Sequence, residues 1–330
     1  MRSKLEHILD ANKLPSTYVR KGHLATEIYI NEKCPIYTYI NSLASESSQK
    51  TAKYALSAIA KHKNLTSPYE INWLEVDRNW LHELRSKLSD KGLSPNTTNL
   101  YLTIIKRILK EAFFLGYISR MRFETVMDVK GISHAKTKIH GVLSYVQFDD
   151  ALKLCDDNTN LGKRDMAIIA LTVGCGLRRF ESAKILMSDI NLAAKKLEVK
   201  GKGGKFRNLY IHDVTMKQIE PWLIIRGLNP GPLFLPIHKS DQVDFSRLDT
   251  GITINSNTIY GCCRRRGLMD LEQKIPPHSL RRTYATWLYR KKVSLEEIRK
   301  LLGHTFIETT KNYVVTSDEE LRQSVMDNLF

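Results

Sequence analysis

Between His278 and Tyr313 the chain carries two imidazoles, a guanidinium and a phenol: His278, Arg281, His304 and Tyr313. His278 and Arg281 are three positions apart, which puts them on one face if the segment is helical. His304 follows Leu301-Leu302-Gly303, and Tyr313 comes nine residues later. These are the groups needed to hold a phosphodiester and attack it. A guanidinium presents a fixed fork of donors to phosphate oxygens. An imidazole moves a proton near neutral pH. A phenol, with a free pKa of about 10, becomes a covalent nucleophile once it is activated. Taken singly, each has an ordinary alternative: a core or capping histidine, a structural ion pair, a half-buried aromatic.

The run HSLRRTYAT from His278, followed by LLGH and then Tyr313, resembles the second half of the catalytic domain of tyrosine recombinases, the phage-integrase and Xer family. The first half should then lie upstream. There GCGLRRFESAKI places Gly-Leu-Arg with Glu three residues on, which resembles the first catalytic box of that family. The resemblance makes Arg178 the first catalytic arginine and Glu181 its acidic support. The glycines permit a tight turn that presents Arg178 at a helix start. Further on, Gly201-Lys202-Gly203-Gly204-Lys205 does not meet the Walker pattern. A flexible Gly/Lys loop is its plain alternative. It is similar to the catalytic lysine loop of the family, which makes Lys202 the candidate and Lys205 its rival. One departure stands: the family often has His directly after the second arginine, where this chain has Arg282. That position is not one of the catalytic set.

Elements must hold these groups in place. The pattern from Pro35 to about Tyr117 is helical, with two short helices broken around Ser45 to Ser48. Ile40, Leu43, Tyr54 and Ile59 supply their apolar positions. A stronger helix begins at Ser94 as N-cap with Pro95 in the first position. Leu100, Ile104, Ile108 and Ala112, beside Tyr101, Ile105, Leu109 and Phe113, form its stripe, and Gly116 ends it. Lys106, Arg107 and Lys110 occupy the opposite face, a solvated face unless DNA lies on it. Residues 128 to 141 read as a basic linker. Ser144 and Gln147 form a capping box that opens the next helix, and DMAIIALTV makes a second helix ending at Gly174-Cys175-Gly176. Residues 197–200 and 206–211 form a strand pair around the Gly/Lys tip, and residues 213 to 227 form a helix. The run Arg264-Arg265-Arg266 either touches phosphates or is solvated.

Composition bounds the rest. The 330 residues are enough for two domains with sizeable cores. The net charge is +16, with 20 basic and 13 acidic residues up to residue 135 and 31 and 22 after it. Both halves are basic, as expected of a clamp that grips a polyanion from two sides. Five cysteines without C-x-x-C pairing suit a reducing compartment and give no metal site. The first residues lack the apolar run of a signal peptide, and no stretch is long enough to span a bilayer.

The expected architecture is mainly α with a small β-sheet. It has an N-terminal extension (1–30), a helical core-binding domain (31–127), a linker (128–141) and a mixed α/β catalytic domain with a tail (142–330). Together these would form a C-shaped clamp on DNA. The resemblance implies a site-specific recombinase in which Tyr313 attacks a phosphate and leaves a 3′-phosphotyrosyl link. Arg178, Arg281 and His304 would stabilise the transition state, His278 would act as base and Lys202 as acid. Arg107, Lys110, Lys106, Lys205, Arg264 and Arg265 are candidates for DNA contact. No metal or other cofactor is expected, because cationic side chains take its place. The partners would be double-stranded DNA recombination sites, three further copies in a homo-tetrameric synapse and accessory DNA-bending proteins, with no membrane. The location would be cytoplasmic, with the nucleoid. A type IB topoisomerase and a non-catalytic DNA-binding regulator are the alternatives. DNA affinity should fall by about 10³-fold or more between about 50 and 200 mM salt, as counterion release from several phosphates requires. Fluorescence anisotropy at a series of salt concentrations measures this, and a flat profile would contradict an electrostatic grip.

Overall fold

The computed structural model describes residues 34–73, 75–133, 141–201, 204, 206–311, 313 and 326. They divide between two compact units, one up to Thr137 and one from Lys138.

In the first unit five helices surround one core: α1 Pro35–Ser42, α2 Glu46–His62, α3 Arg78–Asp90, α4 Pro95–Phe114 and α5 Arg120–Met127. Ser45, Asp77, Ser94 and Ser119 cap α2 to α5, each side chain accepting from a first-turn amide. Leu102, Ile105, Ile108 and Leu109 of α4 pack with Ile36, Leu56, Ile59, Leu81 and Leu84. The start of α4 is where Ser94 and Pro95 predict it, and Gly116 follows its end at φ +76°. Leu100 and Tyr54 depart from expectation, at 41% and 76% exposed. A row of residues four apart drifts by about 40° per step around a helix. Leu100, at the start of its row, has turned out of the core, and Leu102 and Thr98 are buried instead.

The basic face of α4 also divides. Arg107 and Lys110 are exposed, whereas Lys106 donates to the carbonyls of Met127 and Val129 at the end of α5. Burial lowers its pKa. Lys106 is therefore a helix cap within the unit and not a solvent-facing contact, since its donors are taken up by carbonyls that lack intrahelical partners. The expected linker starts later than residue 128. Val129 is buried, and the Asn99 amide holds Ile132 through both backbone groups at 3.0 and 2.7 Å.

The second unit opens with the predicted Ser144–Gln147 capping box. Its elements are α6 Tyr145–Lys153, α7 Asn160–Cys175, α8 Arg179–Lys184, β1 Ile190–Asn191, β2 Lys196–Lys200, β3 Phe206–Tyr210, α9 Asp213–Arg226, α10 Ser246–Thr250, α11 Ser256–Arg265, α12 Pro277–Arg290, α13 Leu295–Leu302 and α14 Ile307–Lys311. The strands form an antiparallel sheet in the order β1-β2-β3. Helix α7 is buried almost all round and packs on α9 and α12. The architecture is thus mainly α with one small sheet.

The run at residues 264–266 is only partly a surface feature. Asp165, fully buried on α7, accepts from Arg265 at 3.1 and 3.0 Å and from Arg266 at 3.1 Å. Arg164 reaches it at 3.3 Å. A buried carboxylate must be paired, so Arg265 is a structural partner here rather than an open phosphate contact. Arg264 faces solvent. Asp165→Ala should cost about 3–5 kcal/mol of unfolding free energy, because it leaves the buried Arg164 without a carboxylate and Arg266 with Asp157 alone. Arg264→Ala should stay within about 0.5 kcal/mol of the native protein. Urea denaturation midpoints test both, and equal midpoints for the two variants would contradict the assignment.

Candidate active site

Helix α13 starts with a capping box between Ser294 and Glu297 and ends at Gly303, φ +63°. The last carbonyls of a helix lack intrahelical donors and carry the negative end of its dipole. Here four consecutive carbonyls are met by four different arginines. Leu301 O accepts from Arg207 Nε at 3.0 Å, and Leu302 O from Arg281 Nη2. Gly303 O accepts from Arg178 Nη2 at 3.3 Å, and His304 O from Arg299 Nη1 at 2.8 Å. Gly303 is needed at this turn, because a Cβ there would lie 3.1 Å from Arg207 Cδ in addition to the positive φ.

Arg178 is the N-cap residue of α8, presented by the turn after α7. Gly176 makes that turn at φ +60°, and a Cβ on it would fall 2.3 Å from the ring of Tyr284. Glu181, one turn into α8, accepts from the Arg178 amide and from Arg178 Nη1, both at 2.8 Å. Arg207 grips both carboxylate oxygens, at 2.9 and 2.8 Å. Burial opposes ionisation of Glu181. The bonds and charges of Arg207 and Arg178 outweigh it and hold the carboxyl at about 2.

Arg281, on α12, is wholly buried. It donates to Gly176 O at 2.7 Å and to Leu302 O, and meets His304 Nε2 at 2.9 Å. Its Nη1 stays 3.8 Å from Glu181 Oε2. Its Nε has no hydrogen-bond partner among the described residues. Burial, with the charge of Arg178, pulls its pKa down to about 9, so it remains a cation at neutral pH.

His304 is buried. A guanidinium only donates, so His304 Nε2 accepts from Arg281, and the ring proton sits on Nδ1, facing Thr310 Oγ1 at 3.0 Å. Burial and the charge of Arg281 push its pKa down to about 4. It is therefore a neutral acceptor that orients Arg281. The expected donor role toward phosphate is not the one it plays in this arrangement.

Tyr313 closes the site. Its hydroxyl lies 2.7 Å from His278 Nε2 in the first turn of α12. Its ring sits 5.7 Å from the Arg281 guanidinium and 4.8 Å from the His304 ring. Its backbone is held by Thr310 and by the Thr286 hydroxyl. The Tyr313–His278 pair is a phenol with an adjacent base, the arrangement an activated nucleophile needs.

Arg178, Glu181, His278, Arg281, His304 and Tyr313 are thus brought together from widely separated stretches of sequence. Lys202 and Lys205 lie outside the described residues, although the strands on either side of them, β2 and β3, pair as expected. Arg207 and Thr310 were not singled out from the sequence. A signal for Arg207 existed. It alternates with Leu209 on β3 and pairs with Val199, both buried, so a charge stands on the inward face of a strand.

A mainly helical chain with a tyrosine, two histidines and a cluster of arginines at one site is the arrangement the tyrosine recombinases lead one to expect. The Phage integrase family model matches residues 142–320, and the Phage integrase SAM-like domain model matches residues 35–131. Relatives include the tyrosine recombinase XerC of Vibrio parahaemolyticus, 25% identical over 300 residues, with 88% of this chain and 91% of that protein covered. The tyrosine recombinase XerD of Staphylococcus haemolyticus is 24% identical over 255 residues, covering 75% and 81%. Among solved structures, a lambda integrase dimer bound to a COC′ core site shares the fold, with TM-score 0.66, 16% identity, and 90% of this chain and 96% of that chain covered. The Tn1549 transposon integrase in complex with a circular intermediate DNA has TM-score 0.64 at 16% identity, covering 93% and 98%. The chain belongs to the phage integrase family, as a site-specific recombinase that cuts and rejoins DNA through a tyrosine intermediate.

The His304 environment has a consequence for stability. Unfolded, its imidazole takes a proton near the ordinary value of 6.5; folded, only near 4. The unfolded state therefore binds more protons in that window, and stability is lost as pH falls through it. The thermal midpoint should drop from pH 6.5 toward 4, and His304→Asn should flatten that part of the profile. Melts followed by circular dichroism decide it, with an unchanged slope in the variant as the contrary result.

Proposed function

We propose that Tyr313 is the nucleophile of DNA strand cleavage and His278 its base. The observation that carries this is the 2.7 Å contact between Tyr313 Oη and His278 Nε2 beside the buried Arg281. The phenolic proton passes to His278 Nε2 as the Tyr313 oxygen bonds to phosphorus. The bond from phosphorus to the 5′-oxygen breaks, leaving a 3′-phosphotyrosyl link. Arg178 and Arg281 stabilise the charge that grows on the non-bridging oxygens. His304 keeps Arg281 oriented. The Tyr313 ring now lies over Arg281, so it must shift aside as the phosphate enters. Lys202, which lies between β2 and β3 in sequence, gives a proton to the leaving 5′-oxygen. Because the link keeps the phosphodiester energy, the same steps in reverse rejoin a strand.

The partner is a duplex recombination site. Both units supply cations to it, with Arg107 and Lys110 of α4 and Arg264 of α11 facing solvent for the purpose. Strand exchange between two duplexes calls for four copies of the chain, with accessory DNA-bending proteins where a site is long. Its place would be the cytoplasm, with the nucleoid.

Sulfur substitution separates the roles. A 5′-bridging phosphorothiolate leaves as a weak base and needs little proton donation. Lys202→Ala should cleave normal DNA about 10² to 10⁴-fold more slowly and recover substantially on the sulfur-substituted strand. Arg281→Ala should stay slow on both, because its charge acts at the non-bridging oxygens. Gel analysis of single-turnover cleavage reads both. Rescue of Lys205→Ala in place of Lys202→Ala would move the acid to Lys205.

A further inference from the structure

Cleavage needs Arg178 and Arg281 to keep their charge for the phosphate, yet an anion is built into the same site. Glu181 already holds Arg178 at 2.8 Å, and its Oε2 is 3.8 Å from Arg281 Nη1. A movement of about 1 Å would make that a charge-assisted bond. It would take a donor and cancel a charge that a phosphate would otherwise use. Arg207 prevents the movement. It bonds both oxygens of Glu181, and its Nε is fixed on Leu301 O. All three of its nitrogens are thus engaged by the protein, and it is largely buried, so it is not placed to touch substrate.

We propose that Arg207 is a positioning residue for strand cleavage. It saturates Glu181, so that this carboxylate supports Arg178 without capturing Arg281. Through Leu301 it also fixes the turn that carries His304. One carboxylate among three guanidiniums leaves an excess of two positive charges, which suits the two negative charges of a phosphodiester at the point of attack. Without Arg207 the excess falls to one, and Glu181 turns to Arg281. The proposal rests on the cleavage chemistry given above.

The test is single-turnover adduct formation on a nicked suicide duplex, with DNA affinity and thermal midpoint measured for each protein. Arg207→Leu should slow adduct formation by about 10²-fold, comparable to losing one transition-state donor, with affinity within about twofold of native. Removing the competing charge as well should reverse part of the loss. Arg207→Leu with Glu181→Gln should be at least about tenfold faster than Arg207→Leu alone, an interaction that a merely structural defect would not produce. Arg207→Lys, whose single ammonium cannot fork both oxygens, should be slowed less, and should likewise speed up with Glu181→Gln. It carries the test if the leucine variant fails to fold. A native rate in Arg207→Leu, or in Arg207→Lys where the leucine variant fails to fold, would overturn the proposal. So would a double variant no faster than its single parent. If the native protein itself forms no adduct, the cleavage reading fails and not this one.

Discussion

The end of α13 is the fixed point of the site. Its carbonyls from Leu301 to His304 would be unsatisfied in a bare helix, and each is met by a guanidinium from a different part of the chain. Arg178 comes from the turn before α8, Arg207 from β3, Arg281 from α12 and Arg299 from α13 itself. Four long, flexible side chains are thereby held in one place by backbone carbonyls, so the cost of ordering them falls on folding. Gly303 makes the turn at φ +63°, where a Cβ would crowd Arg207 Cδ at 3.1 Å.

So much positive charge within a partly buried space is stable only with compensation. Glu181 provides it, held ionised to about 2 by Arg207 and Arg178. His304 responds in the opposite sense: burial and the neighbouring cations keep it neutral, which lets it accept from Arg281. Two titratable groups are thus fixed in complementary states by the same arginines. A protonated His304 would repel Arg281 and lose its acceptor. The chemistry therefore depends on helix termini and charge balance as much as on the identities of the reacting groups.

Much of this was legible in the sequence where the cause is local. Ser94 with Pro95 and Ser144 with Gln147 start their helices as read, because capping involves only neighbouring residues. His278 and Arg281 share a helix face because spacing alone dictates it. What escaped was long-range pairing. Arg265 reads as part of a basic run, but its partner Asp165 is a hundred positions away. Lys106 reads as solvated, but it caps the end of α5. Arg207 reads as a strand residue beside a lysine loop, and only its alternation with Leu209 betrays an inward charge.

The proposed chemistry has Tyr313 act within its own chain, paired to its own His278 over its own Arg281. Mixing two defective proteins tests it most directly. Tyr313→Phe lacks the nucleophile, and Arg281→Ala lacks the cation beneath it. Assembled together on a nicked suicide duplex, neither should be able to complete the other, so the mixture should form covalent adduct no faster than Arg281→Ala alone. Adduct carried by the tyrosine of the Arg281→Ala chain and formed well above the rate of that variant alone would contradict the account, because a nucleophile delivered to a neighbouring chain is not the one described.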